Sequence, residues 1–325
     1  MLHTITLSPD PFELTKAPSD LLDLNARLTA EHERRADPWS FTVPEIREAR
    51  RTGKSVFPLR PADPDASENL VFATDGTAIP VRIIRPHSRA PVGTFVHIHG
   101  GGFIMGEAVE NDGRLRQLAE ATGLVTVSVD YRLAPEHPFP AAFDDCLAVA
   151  RAVIDGSLGV PTGFLAIGGE SAGAHLAVVT LMRLRDEDGA RPFHAANLVA
   201  GFYDLTLTLS AARANLPRML INWTDLAEFA RLTLPEGASA MAPHHSPAFA
   251  DVSGLPPARF ACGTNDLLCD ETLLLAQRWA AAGNEATLAI TPGGCHVFEF
   301  FNTESGHASN AAADAWLSDR IAAQT

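Results

Sequence analysis

Phe164-Leu165-Ala166-Ile167-Gly168-Gly169-Glu170-Ser171-Ala172-Gly173-Ala174-His175-Leu176-Ala177-Val178-Val179 is the stretch whose reading decides the fold. Phe164–Ile167 is a short apolar run of the kind that makes a buried strand. From Ser171 through Leu184 the chain is helical in pattern but apolar nearly all round (Ala174, Leu176, Ala177, Val178, Val179, Leu181, Met182), which places that helix in the centre of the molecule. It comes out to solvent at Arg185-Asp186-Glu187-Asp188-Gly189. Between strand and helix stands Gly169-Glu170-Ser171-Ala172-Gly173. A turn this tight needs small residues beside the serine and pushes its hydroxyl out at the C-terminal edge of the sheet. The helix N-terminus behind it favours developing negative charge. The five-residue pattern alone is common by chance; its place between strand and helix makes Ser171 a candidate nucleophile.

Working outward, the same alternation continues. Leu70–Ala73 and Ile79–Ile84 read as opening strands joined by a hairpin turn at Asp75-Gly76. Thr94–Ile98, Leu124–Val129, Asn197–Ala200, Arg259–Ala261 and Ala286–Ile290 read as further strands. One helix shows a face of Leu115, Leu118, Ala119 and Thr122 and closes at Gly123; another starts at Asp270 and stops at Gly283. Strands alternating with helices predict an α/β fold, with a mostly parallel, eight-stranded sheet covered by helices on both faces. Two stretches break the rhythm. Residues 1–60 are charged and helical in pattern, and residues 204–246 carry Met219, Leu220, Trp223, Leu226, Phe229 and Leu232 at roughly helical spacing. They pack either as extra helices on the core edge or together as a helical cap over the site. The remaining residues, 61–203 and 247–325, form the α/β unit.

The 325 residues are 46% hydrophobic and 20% charged, enough to bury a large core, and the formal net charge is −14. That charge argues against nucleic acid or an anionic membrane as partner. Neither a signal-peptide pattern in Met1–Lys16 nor an apolar run long enough to cross a bilayer is found, and the four cysteines suit neither a disulfide scaffold nor a zinc site. A soluble, cytoplasmic protein is the expectation. Cys295, beside His296, and Cys269, near Asp266, are candidates to approach each other, though two unpaired thiols are the simpler expectation in a reducing compartment.

Three further features share the edge on which Ser171 falls. His99-Gly100-Gly101-Gly102-Phe103 follows a strand directly, and consecutive glycines let backbone N–H groups come close to a substrate oxygen. A loop of this kind can also cradle phosphate, but neither G-x-G-x-x-G with its downstream acid nor G-x-x-x-x-G-K-[ST] is present in the right context. His99 is read as structural. Asp266, in the loop after Arg259–Ala261, is read as the acid, with Asp270 as the N-cap of the next helix. Of twelve histidines, His296 lies in Pro292-Gly-Gly-Cys-His296, a turn just after the last strand, and is the candidate base. His175 reads as a satisfied buried histidine, His244-His245 as loop residues, and His307 as a fallback on the final helix. The order Ser171, Asp266, His296 matches α/β-hydrolases and differs from the chymotrypsin and subtilisin types.

With these residues in hand, the chain from about Asn69 onward resembles the bacterial hormone-sensitive-lipase family of carboxylesterases, of α/β-hydrolase fold. The resemblance rests on His99–Phe103, on Asp130-Tyr-Arg-Leu-Ala-Pro-Glu-His-Pro-Phe-Pro140, on Gly169–Gly173 and on Ser246-Pro247. It implies a cap built from the N-terminal segment and an insert after the sixth strand. It also implies an oxyanion hole from the N–H groups of Gly101, Gly102 and Ala172, and a homodimer as a common assembly. The prolines and Arg132 of the long motif are taken as fixing the loop under the site. Two departures stand out: Glu170 replaces a frequent Asp, and Leu267 replaces a proline that would stiffen the Asp266 loop. The expected reaction is hydrolysis of a small carboxylic ester through an acyl-enzyme, with no cofactor and no metal. Phe103, Met105, Met219 and Trp223 are bulky candidates for the substrate pocket, pointing to short acyl groups. Two alternatives stay open: an amidase or other acyl-transfer enzyme on the same fold, and a ligand receptor built on an inactive hydrolase, against which the presence of His296 speaks.

Overall fold

In the computed structural model, which describes residues 10–324, all eight expected strands form one sheet in the order β1-β2-β4-β3-β5-β6-β7-β8. The strands are β1 (Ser67–Phe72), β2 (Ala78–Ile84), β3 (Gly93–Ile98), β4 (Leu124–Val129), β5 (Leu165–Glu170), β6 (Ala195–Val199), β7 (Ala258–Gly263) and β8 (Ala286–Thr291). The β1–β2 hairpin turns at Asp75-Gly76, where Gly76 sits at φ +85° and the Thr77 N–H donates to Asp75 Oδ1 at 2.9 Å. β2 pairs antiparallel with β4, and every later pairing is parallel. Strands β3 and β4 are buried at every residue, as their unbroken apolar runs require when both sheet faces are covered.

Helices α3 (Asp112–Thr122) and α8 (Glu304–Ala322) cover one face, where Leu115, Leu118, Ala119 and Leu317 pack on Phe95, Leu124 and Ala166. Helices α4 (Ala141–Ile154), α5 (Ala172–Asp188) and α7 (Cys269–Ala281) cover the other, contributing Leu147, Val178, Leu275 and Trp279 to the main core. α3 ends at Gly123 and α5 at Gly189, both left-handed, as glycine at that position allows. α4 is the helix that the sequence pattern does not reveal. Asp145 lies on its buried face, fully enclosed and paired with Arg132 at 2.7 Å, so a charge interrupts the apolar stripe. The same pair is how Arg132 holds the loop under the site.

The two irregular stretches carry α1 (Ser19–Arg34) and α2 (Val43–Arg51) on one side and α6 (Trp223–Thr233) on the other. α2 opens with a Thr42–Glu45 capping box and α6 with an Asn222–Asp225 capping box. They touch each other: Trp39 Nε1–H donates to Asp225 Oδ1 at 2.8 Å, and its ring meets Phe229 edge-on at 5.8 Å. Arg47 donates to the Ile104 and Ala134 carbonyls at 2.6 and 2.7 Å, docking α2 on the loops after β3 and β4. α1 buries Leu21, Leu24 and Leu28 in a second cluster with Met219, Leu220, Phe298 and Phe301. The first nine positions of the N-terminal stretch lie outside the described residues. Among the described residues no helix is long and apolar enough to cross a membrane.

Leu24 is 2% exposed, so Leu24→Ala should lower the unfolding free energy by about 2–5 kcal/mol, the usual range for a buried leucine. Urea unfolding checks this; a change below about 0.5 kcal/mol would mean that α1 is not docked as described.

Candidate active site

The elbow owes its shape to the end of β3. A Cβ at Gly169 would lie 2.1 Å from the Ile98 carbonyl oxygen, and one at Gly173 would lie 1.9 Å from the same atom. Only glycine lets strand β5 and helix α5 pass so close to β3, which is why both flanks of the serine are glycines. Ser171 takes φ +55°, a conformation costing a non-glycine residue roughly 1–3 kcal/mol. It is held there by its N–H bond to the Val199 carbonyl at 2.9 Å and by the Phe202 N–H bond to its own carbonyl at 3.2 Å.

Asp266 and His296 arrive on loops that are laced together. The Asn265 N–H donates to the Gly294 carbonyl at 2.9 Å, and the Gly293 N–H to Thr264 Oγ1 at 2.8 Å. The imidazole spans the gap to the serine: His296 Nδ1 lies 2.9 and 3.1 Å from the two Asp266 oxygens, and Nε2 lies 2.9 Å from Ser171 Oγ. A carboxylate only accepts, so the proton sits on Nδ1 and Nε2 is free to accept from the hydroxyl. Asp266 is fully buried and also accepts from the Leu268 N–H at 2.9 Å. Leu267, in place of proline, is itself buried, so packing and that bond hold the loop without a fixed ring. Asp270 is not the cap of α7. Leu268 occupies that position, and Asp270 sits in the first turn paired with Arg213 at 2.9 Å.

The glycine loop lies opposite. Gly101 and Gly102 have φ of +122° and +61°, and a Cβ at Gly102 would strike the Phe229 ring of α6 at 2.4 Å. Among the described residues none accepts from the N–H groups of Gly101, Gly102 or Ala172. His99 is structural as expected, its Nδ1 2.8 Å from the Gly100 carbonyl and its ring stacked on Tyr131 at 4.3 Å. Burial lowers its pKa, against the pull of Asp130 and of that hydrogen bond, which keeps the ring neutral.

The cavity at Ser171 holds ≈ 40 Å³ and is lined by the three glycines, Glu170, Ser171 and His296 together with Arg50 and apolar side chains. Of the bulky candidates, Met105 lines it. Phe103 does not: its ring packs against Phe139 and His175 at 5.0 and 5.1 Å in the core. Met219 faces α1, and Trp223 opens α6 against the main core. Arg50, Phe57, Ile221, Phe229, Val297 and Phe300 do line the cavity. Phe229 was visible in the apolar spacing of the insert, whereas Arg50 and Phe57 carry no sequence signal for a site.

A family model described as alpha/beta hydrolase fold matches residues 95–300. The chain belongs to the α/β-hydrolase family. This hydrolase is 34% identical over 263 residues to the esterase LipI of Mycobacterium tuberculosis, covering 76% of this chain and 80% of the relative. It is 32% identical over 220 residues to an acetyl-hydrolase of Streptomyces hygroscopicus, covering 67% and 72%. A solved hormone-sensitive lipase from a metagenome library superposes with a TM-score of 0.81 at 28% identity, over 94% of this chain and all of that one. The hydrolase is thus a carboxylesterase of the hormone-sensitive-lipase group.

In this carboxylesterase the rings of His175, His245 and His307 take partners other than the Ser171 hydroxyl. His307 is exposed on α8 and bonds Asn302 at 2.7 Å; His245 bonds the Ser239 carbonyl at 2.9 Å. His175 is fully buried, with ring nitrogens 2.7 Å from the Phe202 carbonyl and 3.0 Å from the His244 carbonyl. Cys269 lies 3.6 Å from Cys262, not beside Cys295, and all four thiols are free and buried. The described residues contain no group of three or more His, Cys, Asp or Glu that could hold a metal.

Burial is the largest influence on His175 and lowers its pKa to about 4, against the raising effect of its two carbonyl partners. The native state therefore resists protonation that the unfolded chain accepts near pH 6.5. Stability contributed by the neutral ring should be full above that pH and fall away as pH drops towards 4, by on the order of 3 kcal/mol. Unfolding free energies between pH 7.5 and 4.5 check this: the slope should flatten in His175→Asn.

Proposed function

We propose that this carboxylesterase hydrolyses small, short-acyl esters with Ser171 as nucleophile, His296 as base and Asp266 as the group that orients the imidazole. The observation that carries it is the continuous path from Asp266 through His296 to Ser171 Oγ, with 2.9 Å at each side of the ring. Ser171 attacks the ester carbonyl while His296 Nε2 takes the hydroxyl proton. The carbonyl becomes a tetrahedral oxyanion, taken up by the N–H groups of Gly101, Gly102 and Ala172. Such donors are worth about 10²–10³-fold in rate each. Collapse expels the alcohol, which receives the proton from His296 and leaves an acyl-Ser171. Water then repeats the sequence and releases the acid. Asp266 holds Nδ1–H throughout and stabilises the imidazolium.

Acyl size follows from the cavity. Its ≈ 40 Å³ has room for about three water-sized groups, which suits an acetyl group. The names of the Streptomyces acetyl-hydrolase and of an ethyl acetate hydrolase from Pseudomonas putida, 30% identical over 268 residues, support the same size. The described residues 10–60 of the segment 1–60 act with 204–246 as a two-part cap over the described part of the α/β unit, 61–203 and 247–324. Phe57 comes from the first part and Ile221 and Phe229 from the second, and all three line the cavity. Four free, buried cysteines support a reducing, cytoplasmic setting.

A p-nitrophenyl ester series from acetate to palmitate, with a p-nitroanilide control, tests this. Acetate and butyrate should be turned over and palmitate and the anilide should not, while Ser171→Ala should abolish all turnover with an unchanged melting temperature. Substantial turnover by Ser171→Ala sinks the assignment; preference for long chains sinks the acyl size.

A further inference from the structure

Glu170 has no step in the acyl-transfer sequence, yet its carboxylate reaches three other elements. One oxygen accepts from the Gly100 N–H at 2.8 Å and from the Asn111 amide at 3.3 Å. The other lies 3.0 Å from His97 Nε2. His97 is on β3, and its Nδ1 lies 2.8 Å from Ser128 Oγ on β4, the residue paired with it in the sheet register. Both ring nitrogens are thus engaged, and the imidazole is locked between two strands and the elbow.

We infer that Glu170 and His97 form a positioning pair that ties the oxyanion loop to the nucleophile elbow. The ladder between β3 and β5 ends at Ile98 opposite Gly169. Beyond that point no strand pairing holds Gly100 to the elbow. The Glu170 side chain continues the tie one step further, from the residue just before Ser171 to the residue just before Gly101. The distance between nucleophile and oxyanion donors is therefore set by one side chain, whose direction His97 fixes. His97 has a second effect. A bare carboxylate beside the oxyanion would oppose its charge, and an imidazole partner on the far oxygen draws that charge away. Burial opposes ionisation of Glu170, but the nearby His97 and the Gly100 N–H outweigh it, so its carboxyl lies below the ordinary range and is ionised at neutral pH. Glutamate in place of aspartate has a structural reason here: the longer chain serves Gly100 and His97 together, whereas a shorter one keeps a single partner.

This role presupposes the oxyanion hole proposed above, so the experiment separates the two. The full-length enzyme and its Glu170→Ala, Glu170→Asp and His97→Gln variants are compared in three measurements. These are kcat and KM on p-nitrophenyl acetate, affinity for an aryl trifluoromethyl ketone that adds to the serine as an oxyanion, and the melting temperature. Glu170→Ala should lower kcat by about ten- to hundredfold with KM within about twofold. Ketone affinity should weaken by the same factor as kcat/KM. Glu170→Asp should recover part of the loss, and adding His97→Gln to Glu170→Ala should cost nothing further, because His97 acts through Glu170. An unchanged kcat in Glu170→Ala overturns the inference. So does a fall in kcat that leaves ketone affinity of the active-site-titrated enzyme unchanged. Should Glu170→Ala not fold, Glu170→Asp and His97→Gln decide on the same two readouts. A wild-type enzyme that does not bind the ketone fails the proposed oxyanion hole itself, whereas one that binds it with all variants unaffected fails only the positioning pair.

Discussion

One steric constraint underlies the molecule: strand β5 and helix α5 cross the end of β3 so closely that the Ile98 carbonyl oxygen touches the sites of two missing side chains, at Gly169 and Gly173. That approach forces the chain between them to turn within a few residues and puts Ser171 at a positive φ. It also sets the helix N-terminus directly behind the hydroxyl, where partial positive charge meets developing negative charge. The neighbouring loops share the strain. Phe103, Ala200 and Val297 also hold positive φ, and each follows the end of a strand or a site residue at the same edge. A large, rigid core makes such strain tolerable, because the strands and helices that flank it cannot relax without exposing apolar surface.

The outer segments are coupled to this edge by specific bonds as well as by packing. Arg47 binds the loops after β3 and β4 through one backbone carbonyl of each, and Arg50 binds Glu110 at 2.6 Å while its guanidinium lies 3.8 Å over the Phe57 ring. On the other side Phe229 fills the space that Gly102 leaves open. The glycine loop after β3 thereby admits a ring from the insert, so shape of the cavity and placement of the loop are linked. Removing Glu110 would leave the buried charge of Arg50 uncompensated, which costs far more than an exposed pair is worth.

Glu271 offers a comparison with Glu170. It is fully buried on α7 and accepts from the Asp204 N–H at 2.8 Å and from Tyr203 N–H and Ser210. Burial raises its pKa well above the ordinary carboxylate range, with Asp204 adding to the effect against those hydrogen bonds. It anchors the chain where the insert leaves β6. Two glutamates, one partly and one fully buried, thus hold loops at the same edge, one ionised beside a histidine and one pushed towards its neutral form.

Much of this was legible in the chain itself. Eight apolar runs became the eight strands, and Gly123 and Gly189 ended their helices, because period, glycine and burial are local properties. The candidate acid and base could be named because each falls just after a strand, and parallel strands deliver their C-terminal ends to one edge. What the sequence could not determine depends on side chains that meet across long separations. Asp145 hid helix α4, since a buried charge is explained only by Arg132. Cys269 met Cys262 instead of Cys295, and Phe103 turned into the core while Arg50 and Phe57 came to line the cavity. Ser171 could be named as a candidate from five residues and the strand and helix patterns on either side of them. What surrounds it was decided by tertiary packing, because a spacing specifies which face a residue takes but not which distant side chain it meets there.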